Sequence, residues 1–267
     1  MDILTHTVSS FALGTVVASY GEQSSWRRAT ILACSALAGA IPDIDAISLW
    51  SRFDATIGRF FHLSHSGREI YSAKFWYSHH AFMHSLLAAL TVALIVVVLA
   101  YSRTLFRDGV STWWRRGRVV LLSMCLAFSV HLFEDMPTPS STWGGVRLFF
   151  PFTTYIGGTG DIWWWNNYDI FLIALGVSLI NLSLLFLVKL FRSRRFKLFR
   201  FTLSLFLFAF ALGFYQVKMR PYDFAYSGHT SKYQQYEEQS KAVQRKILGE
   251  RLYSVMDWFD RKLPIYF

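Results

Sequence analysis

Apolar residues in this chain come in long blocks, not in alternating pairs or short runs. Six blocks approach the roughly 20 residues that a helix needs to cross a bilayer. They run from Ile3 to Tyr20, Ala29 to Trp50, Phe82 to Tyr101, Val119 to Glu134, Ile170 to Phe191 and Phe201 to Val217. The third and fifth are the most uniformly apolar. The first, second and fourth also carry Gly, Ser, Thr and ionisable side chains, which suits helices that face the inside of a bundle. The fourth is short, and the first and second can be read as spanning or as partly re-entrant. The pattern predicts an all-α, polytopic membrane helical bundle of about six spans over residues 1–217, followed by a tail over residues 218–267. In the tail, Val243, Ile247, Leu252, Val255, Phe259 and Leu263 recur at three-to-five spacing. That is an amphipathic helix, packed on the bundle or lying on the membrane surface. The N-terminus has no basic leader region and carries His6 within its apolar segment, so it reads as a retained first helix and not as a cleaved signal.

Composition and charge sharpen this picture. The chain is 53% hydrophobic and 18% aromatic, more apolar than most soluble domains. Its formal charge of +10 would suit a nucleic-acid binder, but the basic residues cluster in short loops between the apolar blocks. Arg27 and Arg28 follow the first block. Arg103, Arg107, Arg115, Arg116 and Arg118 follow the third, and Arg192, Arg194, Arg195, Lys197 and Arg200 follow the fifth. Six spans put these three loops on one side, which the positive-inside rule makes cytoplasmic. The charge is thereby explained by topology, and no nucleic-acid partner is expected. The tail and the loops over residues 51–78 and 136–169 are then extracytoplasmic. Cys34 and Cys125 both lie inside apolar blocks and supply no disulfide framework. Trp163, Trp164 and Trp165 read as an interfacial belt, and Arg147 as a solvated charge or a contact for a substrate phosphate.

The same topology gathers four clusters of histidine and carboxylate on the extracytoplasmic side: Thr5-His6, Pro42 to Asp45, His79 to Ser85, and His131 to Asp135. Taken singly, each is the kind of polar group that membrane helices satisfy with one hydrogen bond. Taken jointly they describe a metal site, because ionisable groups at membrane depth persist when they pair, bind an ion or do chemistry. His131 and Asp135 are four apart and share a helix face, as do His80 and His84. Pro42 fits a helix end, with Asp43 and Asp45 beyond it in different roles. The ligand candidates are His6, Asp43, Asp45, His79, His84, His131 and Asp135, with His80 in reserve. Asp43 and Asp45 are also the candidate catalytic carboxylates, one of them as general base. Glu134 is a weaker ligand candidate, since it points about 100° away from Asp135 on an ideal helix. His62, His65 and His229 read as ordinary polar residues. Nitrogen and oxygen donors without thiolate favour zinc. Seven candidates exceed what one tetrahedral ion needs, so the reading is one or two ions, with two favoured.

In order along the chain, these motifs resemble the YdjM family of membrane-bound, metal-dependent hydrolases. Thr5-His6 is similar to its early Thr-His, Pro42-Asp43-Ile44-Asp45 to its Pro-Asp-x-Asp, and His79 to Ser85 to its His-Arg-x-x-Thr-His-Ser. His131-x-x-x-Asp135, followed by Thr138, Gly144 and the run from Leu148 to Phe152, is similar to its later segment. His80 stands where the family has Arg, and Met83 where it has Thr. The resemblance covers about residues 1–190. It implies a multi-pass protein of the inner (plasma) membrane and a metal-dependent hydrolase facing the extracytoplasmic side. A site near the interface makes a membrane lipid or lipid-linked molecule the natural substrate, cleaved at a phosphoester or ester bond. The alternative is a non-catalytic membrane regulator or a metal transporter. The sequence leaves the oligomeric state open.

Overall fold

A computed structural model describes residues 2–21, 23–73, 81–136, 145–157, 167–187, 195–219 and 233–262. Among them every regular element is helical: α1 (Ile3–Ser19), α2 (Ser25–Ala40), α3 (Gly67–Ser72), α4 (Leu86–Ala100), α5 (Ser102–Asp135), α6 (Tyr168–Leu187), α7 (Arg195–Lys218) and α8 (Tyr233–Lys262). One isolated antiparallel bridge pairs Val146 with Ile156. Four helical stretches are long and apolar enough to cross a membrane: Ser25–Leu49, Ser102–Asp135, Tyr168–Leu187 and Lys197–Lys218. With the shorter apolar helices α1 and α4 they make a six-helix membrane bundle, and α8 follows it. Large apolar side chains such as Leu99, Phe186, Phe208 and Phe214 face outward, where a bilayer removes the cost that water would impose.

Helix α1 runs through the middle, in contact with α2, α5, α6 and α7. Its mixed composition explains why. Its buried residues are mostly small or hydroxylated, including Ser9, Ser10, Ala12, Gly14, Thr15, Ala18 and Ser19. Lipid gives helices no hydrophobic reason to associate, so close backbone approach and interhelical hydrogen bonds must hold the bundle. Ser10 donates to the Ala127 carbonyl (2.9 Å) and Asn181 donates to the Thr15 hydroxyl (2.9 Å). The Ser35 and Ser123 hydroxyls pair at 2.7 Å.

Several boundaries differ from the sequence expectation. The stretch 102–118 is not a loop: α5 covers it, broken at Gly109 (φ +80°), and continues unbroken to Asp135. Arginine is a good helix former, so a basic loop signal hid a helical extension. Helix α4 starts at Leu86, not near Ala81. Before it come a 3-10 turn over Phe82–His84 and Ser85 as N-cap. In α8 the buried face is Gln244, Tyr253 and Met256, with Leu248 packed beside them against Tyr168, Phe171 and Leu172. Ile247, Leu252, Val255 and Phe259 are exposed, so they do not bury against the bundle, and the membrane-surface alternative for this stripe stands. Gly249 (φ +74°) breaks the helix, so one periodicity cannot run through both halves. Arg147 is at a solvent-exposed turn. Its guanidinium donates to the Pro151 and Phe152 carbonyls, closing a local turn.

Candidate metal centre

The polar clusters meet at one end of the bundle, where α1 starts and α2 and α5 end. Each arrives there for a local reason. Asp2 caps α1, accepting from the Thr5 backbone N–H (2.8 Å) and the Thr5 hydroxyl (2.6 Å). Thr5 thus fixes the first turn, and His6 follows it into the interior. Helix α2 ends at Ala40, and Pro42 opens a 3-10 segment, Ile41–Leu49, that turns Asp43 inward. Asp43 itself leaves helical geometry (φ −95°, ψ 15°). Ser85 caps α4 by accepting from the Ala88 N–H and donates to the Phe82 carbonyl. The Leu86 N–H donates to the Leu148 carbonyl, so the turn bearing His84 is held at both sides. His131 and Asp135 stand one turn apart on the last turns of α5.

Asp43, His84, His131 and Asp135 form a buried group whose donor atoms all lie within 4.8 Å of one another and can hold a metal ion. The His84 and His131 Nε2 atoms are 3.1 Å apart. They lie 3.4 and 3.6 Å from Asp43 Oδ1 and 3.1 and 2.9 Å from Asp135 Oδ2. A tetrahedral ion with bonds of about 2.0–2.2 Å sets its donors about 3.3–3.6 Å apart; the two Asp43 spacings match that range, and the other three are shorter than it. The protonation pattern fits too. His131 Nδ1 is 2.8 Å from the Gly39 carbonyl oxygen, which can only accept. The proton therefore sits on Nδ1, and Nε2 presents a lone pair to the group.

His6 is fully buried and stacks on His131, with ring centroids 3.8 Å apart. Its Nδ1 donates to Glu134 Oε2 at 2.8 Å. Sequence reasoning rated Glu134 as a weak ligand because of its angle on α5. That angle is what turns it toward α1, where it orients His6 in the manner of a carboxylate behind a metal-binding imidazole. The signal that could have found it was the adjacent Glu134-Asp135 pair: neighbours on one helix face two different partners.

Asp45 is half-buried on the segment that carries Asp43 and is not part of the four-donor group. His62 and His65 are exposed. His79 and His80 lie outside the described residues, as do Thr138, Gly144, Trp163, Trp164, Trp165, His229 and Leu263.

Gly39 makes this packing possible. A Cβ placed on it would lie 2.4 Å from Ser10 Oγ and 2.5 Å from the His6 carbonyl oxygen. Helices α1 and α2 therefore touch backbone to backbone beside the site, and the same glycine supplies the carbonyl that orients His131.

No curated protein and no solved structure matches the chain. A family model described as YdjM inner membrane protein matches residues 1–220. With that match over most of the chain, the protein belongs to the YdjM family of inner-membrane proteins.

Proposed function

We propose that this protein is a membrane-embedded, metal-dependent hydrolase that cleaves a phosphoester or ester bond of a lipid-like substrate at the extracytoplasmic face of the inner membrane. The observation that carries the proposal is the buried Asp43, His84, His131 and Asp135 group, with donor spacing suited to a small divalent ion. Two imidazoles and two carboxylates without thiolate favour zinc. Such an ion would act as a Lewis acid, lowering the pKa of water toward neutrality and polarising the scissile bond. The chain's own residues set up that chemistry: Gly39 and Ser85 fix the ligand orientations, and Asp43 serves as a donor. Asp45, half-buried two residues away, takes the general-base role. His79 remains a proposed further ligand.

Loop charge supports the orientation. The Arg27 guanidinium donates to the Arg116 carbonyl, so these basic segments gather at the end opposite the donor group, as the positive-inside rule requires of a cytoplasmic end. The transporter alternative needs cation donors along the whole path. Beyond Ser10, the polar side chains along α1 include Thr15, which accepts from Asn181, and Ser19, which pairs with Thr202. Such groups are weak donors for a borderline metal.

The test is elemental analysis of detergent-purified protein, wild type beside His84→Ala and Asp135→Ala. The expected result is zinc in the wild type and its loss in both variants. Phosphate or fatty-acid release from phospholipid vesicles by the wild type alone would then follow. A wild type that stays metal-free after zinc is supplied would reduce the cluster to a buried polar network.

A further inference from the structure

We propose that the centre holds a second cation, on the His6 side, with Asp43 and Asp135 bridging the two positions. The inference rests on the metal-centre reading above and extends it to a site that the four-donor group does not contain. Each of the two aspartates divides its oxygens. Asp43 presents Oδ1 to His84 and His131, and its Oδ2 lies 3.8 Å from His6 Nε2. Asp135 presents Oδ2 to the same pair, and its Oδ1 lies 3.0 Å from His6 Nε2. Two carboxylates shared in this way, with imidazoles on both sides, are arranged as the bridges of a two-ion site.

His6 is the independent observation. It is fully buried. Its Nδ1–H is committed to Glu134, so Nε2 carries the lone pair and points between the aspartates. Nε2 lies 3.0 Å from Asp135 Oδ1, but outside the angles of a hydrogen bond to it or to any other described residue. A buried imidazole nitrogen left without one costs roughly 1–3 kcal/mol, and a cation at this point removes that cost. Asp43, Glu134 and Asp135 put three carboxylates in one buried cluster, with side-chain exposures of 7, 13 and 3%, a set of oxygens large enough for more than one cation.

The two positions differ in what they can do. The first has four protein donors, so water could join an ion there only as a fifth ligand. The second has three among the described residues: His6 Nε2, Asp43 Oδ2 and Asp135 Oδ1. Three protein donors with room for water or substrate is the pattern of a catalytic ion. A cation at the His6 position would therefore engage substrate together with the four-donor ion, and Glu134 is a positioning residue that acts through His6.

The test uses full-length protein in detergent, titrated with Co²⁺ and with Zn²⁺. Wild type is expected to take up about two equivalents, as two-ion hydrolases do. The EPR signal of the first cobalt should collapse as the second binds, because bridging carboxylates couple the two spins. His6→Ala should hold about one equivalent with an uncoupled signal, and Glu134→Gln should weaken only the second binding step, by about 10–100-fold. Saturation of the wild type at one equivalent, unchanged in His6→Ala, would overturn the second site and leave the four-donor centre standing. Absence of any binding would overturn both. The coupled cobalt signal needs only wild-type protein, so a variant that fails to fold does not stop the test.

Discussion

Gly39→Ala is the substitution that most directly tests whether helix packing builds this site. The added methyl would meet Ser10 Oγ at 2.4 Å and the His6 carbonyl oxygen at 2.5 Å. Ordinary contact for such atoms is about 3.5 Å, so α1 must retreat by about 1 Å. The serine can rotate away, but the carbonyl is backbone and cannot. Overpacking of this kind costs about 1–3 kcal/mol, a measurable but survivable loss. The centre has less tolerance. Its donor spacings run from 2.9 to 3.6 Å, and metal–ligand bonds tolerate only about 0.2 Å. A 1 Å separation of α1 from α2 moves His6 directly, and whatever part of it α2 takes up strains the His131–Gly39 hydrogen bond. The expected outcome is zinc affinity lowered by about 10–100-fold, read by competition with a chromophoric chelator, with helicity by circular dichroism near wild type. Adding Ser10→Ala should not restore it. A Gly39→Ala protein that binds zinc as tightly as wild type would refute the claim that close α1–α2 contact sets the donor geometry.

Other consequences can be measured separately. Asp135→Asn should remove most bound metal, because Asp135 reaches His6, His84 and His131 at 3.0, 3.1 and 2.9 Å; near-normal zinc content would contradict that. Ser85→Ala removes the cap that accepts from the Ala88 N–H. It should cost about 1 kcal/mol of stability, seen as a lower midpoint in thermal melts monitored by circular dichroism. Tyr168→Phe deletes the 2.6 Å hydrogen bond to Asp260 and should raise hydrogen exchange in α8 while leaving bound zinc unchanged. In a background with Cys34 and Cys125 replaced by Ala, Ser64→Cys, at an exposed position, should react with a membrane-impermeant thiol reagent in intact spheroplasts; protection there would reverse the proposed orientation.

The helical architecture was legible because its signal is coarse: blocks of about 20 apolar residues survive any error in periodicity. Span counting alone brought His6, Asp43, His84 and Asp135 to one end. Finer features escaped for identifiable reasons. Glu134 was set aside by an angle measured against Asp135, when the relevant partner was His6 on another helix. The role of Gly39 was invisible, since nothing in a Gly-Ala-Ile-Pro run says which neighbour comes within contact distance. Which face of α8 packs on the bundle was not legible, because a positive φ at Gly249 resets the helical phase.

Two of the site's imidazoles, His6 and His84, sit at the ends of the two shortest membrane helices. Helix α1 has 17 residues and α4 has 15, or about 26 and 23 Å of rise. A hydrocarbon core is about 30 Å thick. Tyr20 and Tyr101 close the far ends of these helices, and tyrosine is an interfacial residue. Anchored there, α1 and α4 stop about 4–7 Å short of the opposite boundary. His6, in the first turn of α1, and His84, just ahead of α4, then lie below the headgroup plane. The ester and phosphate linkages of a lipid lie close to that depth. A water-soluble substrate would have to leave water to reach it. If the protein is the hydrolase proposed above, burial of the centre and the shortness of these two helices would favour a substrate delivered from the bilayer.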